Sequence, residues 1–470
     1  MMPLLSISAY LPLFLGIVSG TSHSHATHDQ ARDVDVIRRD VCIIGGGAAG
    51  TYAAMSLRQL NQSVVVVEKT GRLGGHTITY IDPATGTPVD FGVTLFEDSP
   101  ETVDFFTQFD VPVTKAMHHG DRIARIDFQT GEIVEPYPGN ITDALERYGE
   151  ILQQYPYLAA GWSLPDEVPE DLVMPFGQFV EKYDLGAAVE LISIYSQGGR
   201  HWLNHPTVYM MKSVSLAMLD AFETGFLCTA RHNNGEVFDA ALDELGEDVL
   251  LHSVVVNASR SHDETHLLTV QSSDGEITII EADATIVAVP PRRQVLAGLD
   301  VDETESQLFD QFLHGHYYAG LVRVDGYPKG LQIVNRGANT AYTLPSLPCT
   351  FGINPTAVAD IVMVSYGSEK AMTEEDVKAA ITEDLLGLND AGYDLSDPEL
   401  VAFADHSPFQ MSVSSEAIEA GFHQDLNHLQ GYRNTYYIGG TYEHPWSSAI
   451  WRGVDQLLPS IIEGALARKL

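Results

Sequence analysis

Three glycines near the N-terminus, Gly45, Gly47 and Gly50, form the pattern GxGxxG between an apolar run and a helix-like stretch. The run DVCIIGGG at 40–47 is typical of a strand that ends in a tight turn, and AAGTYAAMSLRQL at 48–60 has helical apolar spacing. At such a junction the first glycine permits the turn, the second admits a pyrophosphate and the third lets the helix pack on the strand. The free N–H groups of the helix N-terminus favour the anion. The pattern predicts a dinucleotide site.

A second apolar run, at 63–67, ends at Glu68, which follows Gly50 by 18 residues. An acidic residue at this distance can accept hydrogen bonds from the ribose hydroxyls of a dinucleotide. Gly74 and Gly75 follow shortly afterwards, where a second close approach of backbone to cofactor needs no side chain. The two runs and the two glycine turns predict an α/β domain of the Rossmann type.

The segment 68–77, EKTGRLGGHT, resembles the double-glycine motif of the flavoprotein group that contains monoamine oxidases, polyamine oxidases and phytoene desaturases. That resemblance implies FAD rather than NAD. DATIVAVPP at 283–291 resembles the strand and diproline element of the same group, and 248–256 is similar to the strand whose backbone holds adenine, with Val255 as the best match.

The C-terminal stretch 436–453 resembles the turn and helix that close over the cofactor pyrophosphate in this group, with the helix start directed at the flavin ring. Tyr442 replaces the acidic residue that follows the glycine pair there. The resemblance and the glycine pattern together give the expected FAD contacts. They are Gly45, Gly47, Ala49, Gly50, Glu68, Lys69, Arg72, Gly74, Gly75, His76, Thr77, Val255, Gly440, Thr441 and Ile450.

Within the group, the chain is most similar to the β-cyclopiazonate dehydrogenase family of fungal secondary metabolism. The residues that carry the similarity are GGHT at 74–77, HSPF at 406–409, LQGYRNTYY at 429–437 and SSAIW at 447–451. The resemblance implies hydride abstraction from a bulky alkaloid or terpenoid, followed by capture of the cation within the same molecule to close a ring. It also implies non-covalent FAD, because no cysteine lies where amine oxidases attach theirs.

Three other activities remain open: an amine oxidase that releases hydrogen peroxide, an FAD-dependent double-bond isomerase, and a flavin-holding protein without catalysis. Amine oxidases commonly carry a lysine in the strand after the diproline, and the comparable stretch 315–324 has none. The candidate catalytic side chains are His406 and His316 as bases, with Tyr442, Trp451, Trp446 and Tyr318 as walls of the flavin site. No motif for a hydrolytic triad or a metal site is present.

The cofactor motifs fall in three separated parts of the chain, so an inserted, mixed α+β substrate domain is expected between them. The predicted FAD-binding parts are 38–100, 231–296 and 431–470, and the predicted substrate-domain parts are 101–230 and 297–430. Helix-like stretches lie at 141–152, 208–219 and 373–387, and strand-like stretches lie at 320–324 and 361–366.

Composition excludes several classes of function. The 470 residues include 26 Lys and Arg against 64 Asp and Glu, and the net charge of -38 would repel nucleic acids and anionic lipids. Hydrophobic residues make up 44% of the chain, which is enough for globular cores. The expected partners are an apolar small molecule and dioxygen or another electron acceptor.

Residues 1–20 contain no charged side chain and resemble a secretory signal peptide, with 21–37 as a linker. An uncleaved anchor is the alternative, and no other segment could cross a bilayer. Glycosylation sequons begin at Asn61, Asn140 and Asn257, which suits the secretory route. The sequence therefore predicts a secreted protein or one resident in the secretory pathway.

Overall fold

The apolar run before the first glycine turn forms a strand in the computed structural model, which describes residues 35–116, 120–196 and 202–466. This strand begins at Asp35, three residues inside the predicted linker. The predicted signal peptide lies outside the described residues. The strands of the described residues, in chain order, are β1 (Asp35–Ile44), β2 (Val64–Val67), β3 (Thr79–Ile81), β4 (Pro88–Asp90), β5 (Val113–Lys115), β6 (Arg122–Ile126), β7 (Leu227–Thr229), β8 (Val249–Leu250), β9 (Ser253–Ser259), β10 (His266–Ser272), β11 (Ile277–Val287), β12 (Leu313–Asp325), β13 (Leu331–Asn335), β14 (Cys349–Pro355), β15 (Ile361–Ser368), β16 (Ser396–Asp405), β17 (Phe409–Ser412) and β18 (Thr435–Tyr437).

The α-helices are named in the same way. They are α1 (Ala48–Gln59), α2 (Pro100–Gln108), α3 (Ile141–Leu152), α4 (Glu170–Val173), α5 (Phe176–Lys182), α6 (Val189–Tyr195), α7 (Thr207–Ser213), α8 (Leu216–Thr224), α9 (Glu236–Leu245), α10 (Glu303–Phe309), α11 (Glu374–Gly387), α12 (Ser415–Glu419), α13 (Phe422–His428) and α14 (Ser447–Leu466).

The first sheet has the strand order β8, β2, β1, β11, β10, β9, and β18 pairs with the end of β11. The pairs β8–β2, β2–β1, β1–β11 and β11–β18 are parallel, while β9 and β10 extend the sheet in antiparallel fashion. All four residues of β2 are buried because helices and the β9–β11 strands cover its two faces. The carboxyl ends of β1, β11 and β18 thus meet at one edge, where the glycine turns begin.

The second sheet has the order β16, β12, β15, β14, β13, β6, with β17 paired to the start of β12. One face carries α11, whose Val377, Ile381 and Leu385 pack into an apolar cluster with Tyr318 and Val322 of β12. The other face of β12 turns toward β4, because Ala319 and Leu321 cluster with Val89 and Phe91. Successive residues of β12 therefore pack into two different apolar clusters, because side chains alternate between the two faces of a strand.

Two predicted elements are interrupted in the structure. The helix-like stretch 208–219 divides into α7 and α8, because the Ser215 side chain accepts a hydrogen bond from the Met218 N–H and starts a new helix. The strand-like stretch 248–256 divides into β8 and β9 at His252, which has φ +51. By contrast, α3 spans 141–152 as predicted.

Candidate functional site

The first glycine turn is held by close backbone packing. Gly45 has φ +103, in the left-handed region that favours glycine, and its N–H donates to the Val67 carbonyl at 2.9 Å. A Cβ on Gly50 would overlap the Gly45 carbonyl oxygen. The fold of the turn itself therefore requires Gly45 and Gly50.

Gly47 differs from Gly45 and Gly50, because neither its backbone conformation nor the neighbouring protein atoms exclude a side chain there. Its φ of -68 and ψ of -175 suit any residue, and the nearest atom to an added Cβ would be the Gly75 Cα at 3.8 Å. Gly47 is the N-cap of α1, and the first turn of this helix contains no acidic residue. A Cβ would occupy the space in front of the free N–H groups, which is the space a bound phosphate needs. The turn fits the pyrophosphate of FAD.

The second glycine pair lies directly against the first turn. The Gly74 N–H donates to the Gly46 carbonyl at 2.8 Å, and a Cβ on Gly75 would lie 2.9 Å from the Gly47 Cα. Gly74 and Gly75 have φ values of +98 and +57. The structure thus brings together the two turns that were predicted to approach the cofactor.

Glu68 fixes this region through its carboxylate. Oε2 accepts a hydrogen bond from the Gly46 N–H at 2.8 Å, and Oε1 accepts from the N–H and hydroxyl of Thr70 at 2.8 and 2.7 Å. Each carboxylate oxygen has two lone pairs, so Oε1 is fully used and one acceptor position remains on Oε2 for a ribose hydroxyl. Lys69, also predicted as a contact, is exposed beside it.

Arg72, which is predicted to contact a cofactor phosphate, makes hydrogen bonds within its own loop. Its guanidinium donates to the carbonyls of Leu73 (3.0 Å), Thr77 (2.9 Å) and Gly75 (2.6 Å). These three acceptors all belong to the loop that follows it. Arg72 therefore stabilises the second glycine turn through hydrogen bonds in which both NH1 and NH2 donate to protein carbonyls.

His76 directly follows the second glycine pair. More than a third of its surface is accessible, yet desolvation, reinforced by the charges of Lys69 and Arg72, lowers its pKa to about 4. Accessibility combined with desolvation is expected of a side chain that faces enclosed space. The neighbouring Thr77 is buried, and its hydroxyl oxygen has no hydrogen-bond partner among the described residues.

His406 joins this group from the second sheet. Its ring centroid lies 4.5 Å from that of His76, and its Nε2 is buried with no hydrogen-bond partner in the described parts of the chain. Burial, with smaller effects of His76 and Arg72, lowers the pKa of His406 well below its usual range. The Tyr317 ring packs against His406, with the centroids 5.8 Å apart, and the Phe409 ring packs against His76, with the centroids 5.9 Å apart. Two neutral imidazoles and two aromatic rings therefore adjoin the second glycine turn.

His316, the other predicted base, is not part of this group. It shares a face of β12 with Tyr318, whose ring centroid is 6.5 Å away, and that face packs toward α11. Tyr317, one residue later, faces the opposite way and contacts His406. The structure therefore places Tyr317, rather than His316 or Tyr318, beside His406, and the roles of His316 and Tyr318 in the site stay predictions.

Three residues of the C-terminal stretch that were predicted to line or contact the cofactor pack against or bond to other parts of the protein. Trp451 is fully buried, stacks on Tyr52 at 5.4 Å and donates its Nε1–H to the Ala48 carbonyl at 3.1 Å. Tyr442 packs in the core against Tyr437 at 5.7 Å. The Ile450 N–H donates to the Trp446 carbonyl at 3.0 Å, so it is used within α14. The Tyr442 hydroxyl is buried with no hydrogen-bond partner among the described residues, and the roles of Trp451 and Tyr442 as walls and of Ile450 as a cofactor contact stay predictions.

The C-terminal glycine pair does reach the first turn. Gly439 has φ +112, and a Cβ on it would lie 3.9 Å from the Ala49 Cβ at the start of α1. Gly440 and Thr441 follow directly. The Thr441 carbonyl accepts a hydrogen bond from Trp162 Nε1 at 3.0 Å, which joins the turn to the segment between α3 and α4. Trp446, a further candidate wall, donates its Nε1–H to the Ser213 carbonyl.

The β9 strand runs past the ribose acid. The Ser253 N–H donates to the Glu68 carbonyl at 2.9 Å, two residues before Val255. Val255 itself packs toward the buried face of the first sheet, while its neighbours Val254 and Val256 are exposed. The backbone of this strand is therefore near Glu68, as expected for an adenine contact, and the exposed side chains belong to the flanking valines.

Sequence reasoning missed several residues that shape the site. Gly92, with φ +133, is required because a Cβ there would overlap the His76 carbonyl oxygen. Asn234 is fully buried and donates to the carbonyls of Val93 and Thr94, which fixes the same loop. The Asp-Phe-Gly sequence after the short β3–β4 hairpin is a signal that could have revealed Gly92. Tyr317 and Phe409 carry no such signal.

Neither a metal centre nor a membrane helix is found in the described chain. No group of three or more His, Cys, Asp or Glu side chains there could hold a metal ion. Within the same residues, every helix is too short or too polar to cross a bilayer.

Comparison with known proteins agrees with this geometry. A family model described as flavin containing amine oxidoreductase matches residues 48–397. The FAD-dependent oxidoreductase pigF of Monascus ruber is 36% identical over 458 residues, which cover 96% of this chain and 97% of the relative. The beta-cyclopiazonate dehydrogenase of Aspergillus oryzae is 32% identical over 452 residues, which cover 95% and 97%.

Solved structures share the fold. A fatty acid isomerase from P. acnes that produces CLA has a TM-score of 0.75 at 20% identity, covering 90% of this chain and 98% of that chain. Putrescine oxidase bound to putrescine has a TM-score of 0.63 at 17% identity, covering 91% and 100%. The expected fold class, the resemblance to the β-cyclopiazonate dehydrogenases and the FAD cofactor are confirmed.

Proposed function

The chain belongs to the family of flavin-containing amine oxidoreductases, and from this premise we propose that it oxidises a bulky, largely apolar alkaloid or terpenoid with ring closure. FAD, when bound, supplies the acceptor for a hydride from a substrate carbon. The carbon left electron-deficient is then captured by an electron-rich group of the same molecule. Loss of a proton completes the reaction, so the product contains two hydrogens fewer than the substrate. Dioxygen or another acceptor removes the electrons afterwards.

The group of Tyr317, Phe409, His76 and His406 carries this proposal. Its members adjoin the second glycine turn, with ring centroids between 4.5 and 5.9 Å apart. Aromatic faces stabilise nearby cations and offer apolar contact, and neutral imidazoles add no positive charge. Such a wall suits a substrate that passes through a carbocation or an iminium ion.

His406 is the proposed proton acceptor. Its lowered pKa keeps the imidazole neutral at physiological pH, so a nitrogen lone pair is available. The depressed pKa makes it a weak base, but a cationic intermediate is a strong acid and transfers a proton to a weak base readily. His76, 4.5 Å away between ring centroids, is positioned to orient the ring or share the proton.

The amine oxidase alternative is less well supported. The inner face of β12 presents Tyr317, Ala319 and Leu321, and the stretch 315–324 contains no lysine of the kind that amine oxidases commonly use. None of the three cysteines, Cys42, Cys228 and Cys349, lies in the glycine turns or the C-terminal motif. This supports non-covalent FAD as part of the proposal.

A secretory route is also proposed, with cleavage near residue 20. The support is the uncharged apolar N-terminus, together with three sequon asparagines that are exposed in the structure, Asn61, Asn140 and Asn257. Mass spectrometry of the native soluble protein tests this. A mature chain that begins close to residue 21 is expected, and an intact Met1 terminus contradicts the proposal.

Comparison of metabolites with and without the protein identifies the substrate. Deuterium at the reacting carbon should then slow flavin reduction several-fold in a single turnover, and the product should be cyclised and two hydrogens lighter. Release of an imine with hydrogen peroxide would establish the amine oxidase instead. A product of unchanged mass, formed without net consumption of an acceptor, would establish the isomerase.

A further inference from the structure

A buried lysine lies beside the C-terminal glycine turn, outside all the cofactor motifs. Lys212 of α7 is 4% exposed, and its Nζ donates to the carbonyls of Gly161 at 2.6 Å and Leu158 at 3.3 Å. The Nζ also lies 4.7 Å from the centroid of the Trp162 ring. All the donor capacity of the ammonium group is thus directed at the segment 158–162.

The same segment is held from its other side by the C-terminal turn. The Gly161 N–H donates to Glu443 Oε2 at 2.5 Å, and Trp162 Nε1 donates to the Thr441 carbonyl at 3.0 Å. Gly161 has φ +59, so its peptide is turned into a conformation that glycine favours. Lys212 and Glu443 therefore hold one residue between them, and through it the turn 439–446 is joined to α7.

The charged and titratable neighbours of Lys212 come from two elements, the turn 439–446 and α13. Glu443 and His444 belong to the turn, and His423 of α13 stacks on Trp162 at 4.2 Å. Burial raises the pKa of Glu443, with Lys212 and Arg452 acting against that rise. Burial lowers the pKa of His423 to about 3 and that of His444 well below its usual range, so both rings are neutral. Burial also lowers the pKa of Lys212 to about 8, against the opposing effect of Glu443.

We propose that protonated Lys212 is a positioning residue of the FAD site, which, together with Glu443, fixes the Gly161 peptide and so holds the turn 439–446 against the start of α1. A Cβ added to Gly439 would lie 3.9 Å from the Ala49 Cβ there. Displacement of this turn would move backbone groups that face the pyrophosphate region. Lys212 does not touch the reacting atoms in this account, and its effect is on cofactor affinity.

The proposal has a pH dependence whose sign can be derived. The neutral amine has one donor fewer and no charge to attract Glu443 or the Trp162 face, so FAD affinity should fall as pH rises through about 8. Folding of the FAD-free protein should respond in the opposite direction. Between about pH 8 and 10.4 the unfolded lysine binds more protons than the folded one, so the contribution of Lys212 to stability rises with pH.

The test measures the dissociation constant of FAD from the reconstituted full-length protein between pH 6.5 and 9.5. Wild type should lose roughly tenfold in affinity across this range, since a hydrogen bond to a charged group is worth about that factor or more. Lys212→Met should bind roughly tenfold more weakly at pH 7 and show no step. Lys378→Met is the matched control, because Lys378 also lies over an aromatic ring, 5.3 Å from that of Phe403, but its side chain is 39% exposed on α11, so the variant should behave as wild type.

Glu443→Gln keeps the response measurable if Lys212→Met fails to fold. The amide oxygen can still accept from the Gly161 N–H, but the negative charge that favours the ammonium is lost, so the step in affinity should move to lower pH. A merely structural role would leave the position of the step unchanged. Lys212→Met with wild-type affinity at pH 7, or a step that stays in place in Glu443→Gln, would overturn the proposal.

Discussion

The glycine turns at 45–50 and 74–75 and the strand β12 contribute to the site in different ways. In the turns, backbone atoms lie so close that a Cβ in place of a glycine hydrogen would clash. A Cβ on Gly75, for example, would lie 2.9 Å from the Gly47 Cα. In β12, neighbouring side chains face opposite sides, so Tyr317 meets His406, while Tyr318 packs toward α11 and His316 shares the face of Tyr318. Substitutions in the turns should therefore change cofactor binding or folding, and substitutions around β12 should change turnover on one face only.

The largest expected effect contrasts the two candidate bases. His406→Gln keeps a polar side chain of similar size but removes the basic nitrogen, so turnover should fall roughly 10²–10⁴-fold, the range typical of a general base. His316→Gln should stay within about threefold, because its ring lies on the far face of β12. Steady-state turnover at saturating substrate measures both, and FAD content shows that the cofactor is retained. Equal losses of turnover in the two variants would contradict the inference that only the face of β12 with Tyr317 adjoins the reacting site.

The next effect separates two glycines of one motif. In Gly50→Ala the new Cβ meets the Gly45 carbonyl oxygen, so the free energy of unfolding of the FAD-free protein should fall by roughly 1–3 kcal/mol or more. In Gly47→Ala the Cβ meets open space, and the loss should stay below about 1 kcal/mol, the cost of a poorer helix N-cap. Urea unfolding of both apoproteins makes the comparison. A larger loss for Gly47→Ala would contradict the assignment of these two roles.

The smallest effect concerns pH and the buried His423. Burial, with a contribution from Lys212, lowers its pKa to about 3, whereas the unfolded ring titrates near 6.5. The unfolded chain therefore binds an extra proton between these values, and stability falls as pH falls through this window. His423→Gln should remove this part of the slope, at most about 1.4 kcal/mol per pH unit, while exposed His428→Gln leaves it intact. Urea unfolding at pH 5 to 7.5 measures the slope, and identical slopes in the two variants would contradict the lowered pKa.

Much of the cofactor region could be predicted from the sequence because local backbone rules govern it. Gly45 needs its positive φ, Gly50 allows the helix to approach the strand, and the acid at Glu68 follows the second strand of the motif. These requirements act over a few residues and leave a pattern in the chain. The boundaries of α3 were predicted for the same reason, since its apolar spacing is regular.

The remaining site residues depend on contacts between distant parts of the chain. Arg72 donates to carbonyls of its own loop, and Trp451 fills a core between α14 and α1. His316 and His406 look alike in sequence, and only the pairing of β12 with its neighbours decides which one faces the glycine turn. Neither the composition nor the spacing of the sequence shows which of these side chains faces the glycine turn.

The central claim is that the open space at Gly47 holds the pyrophosphate of FAD. Gly387 is the matched control, because a Cβ there meets nothing within 4 Å, a Cβ on Gly47 meets only the Gly75 Cα at 3.8 Å, and the backbone conformation of both glycines suits any residue. The measurement is the FAD content of purified wild type, Gly47→Val and Gly387→Val, from the visible absorbance and the FAD released on denaturation. Wild type and Gly387→Val should be yellow with about one FAD per chain, and Gly47→Val should be folded and colourless. A Gly47→Val protein with full FAD content would contradict the account.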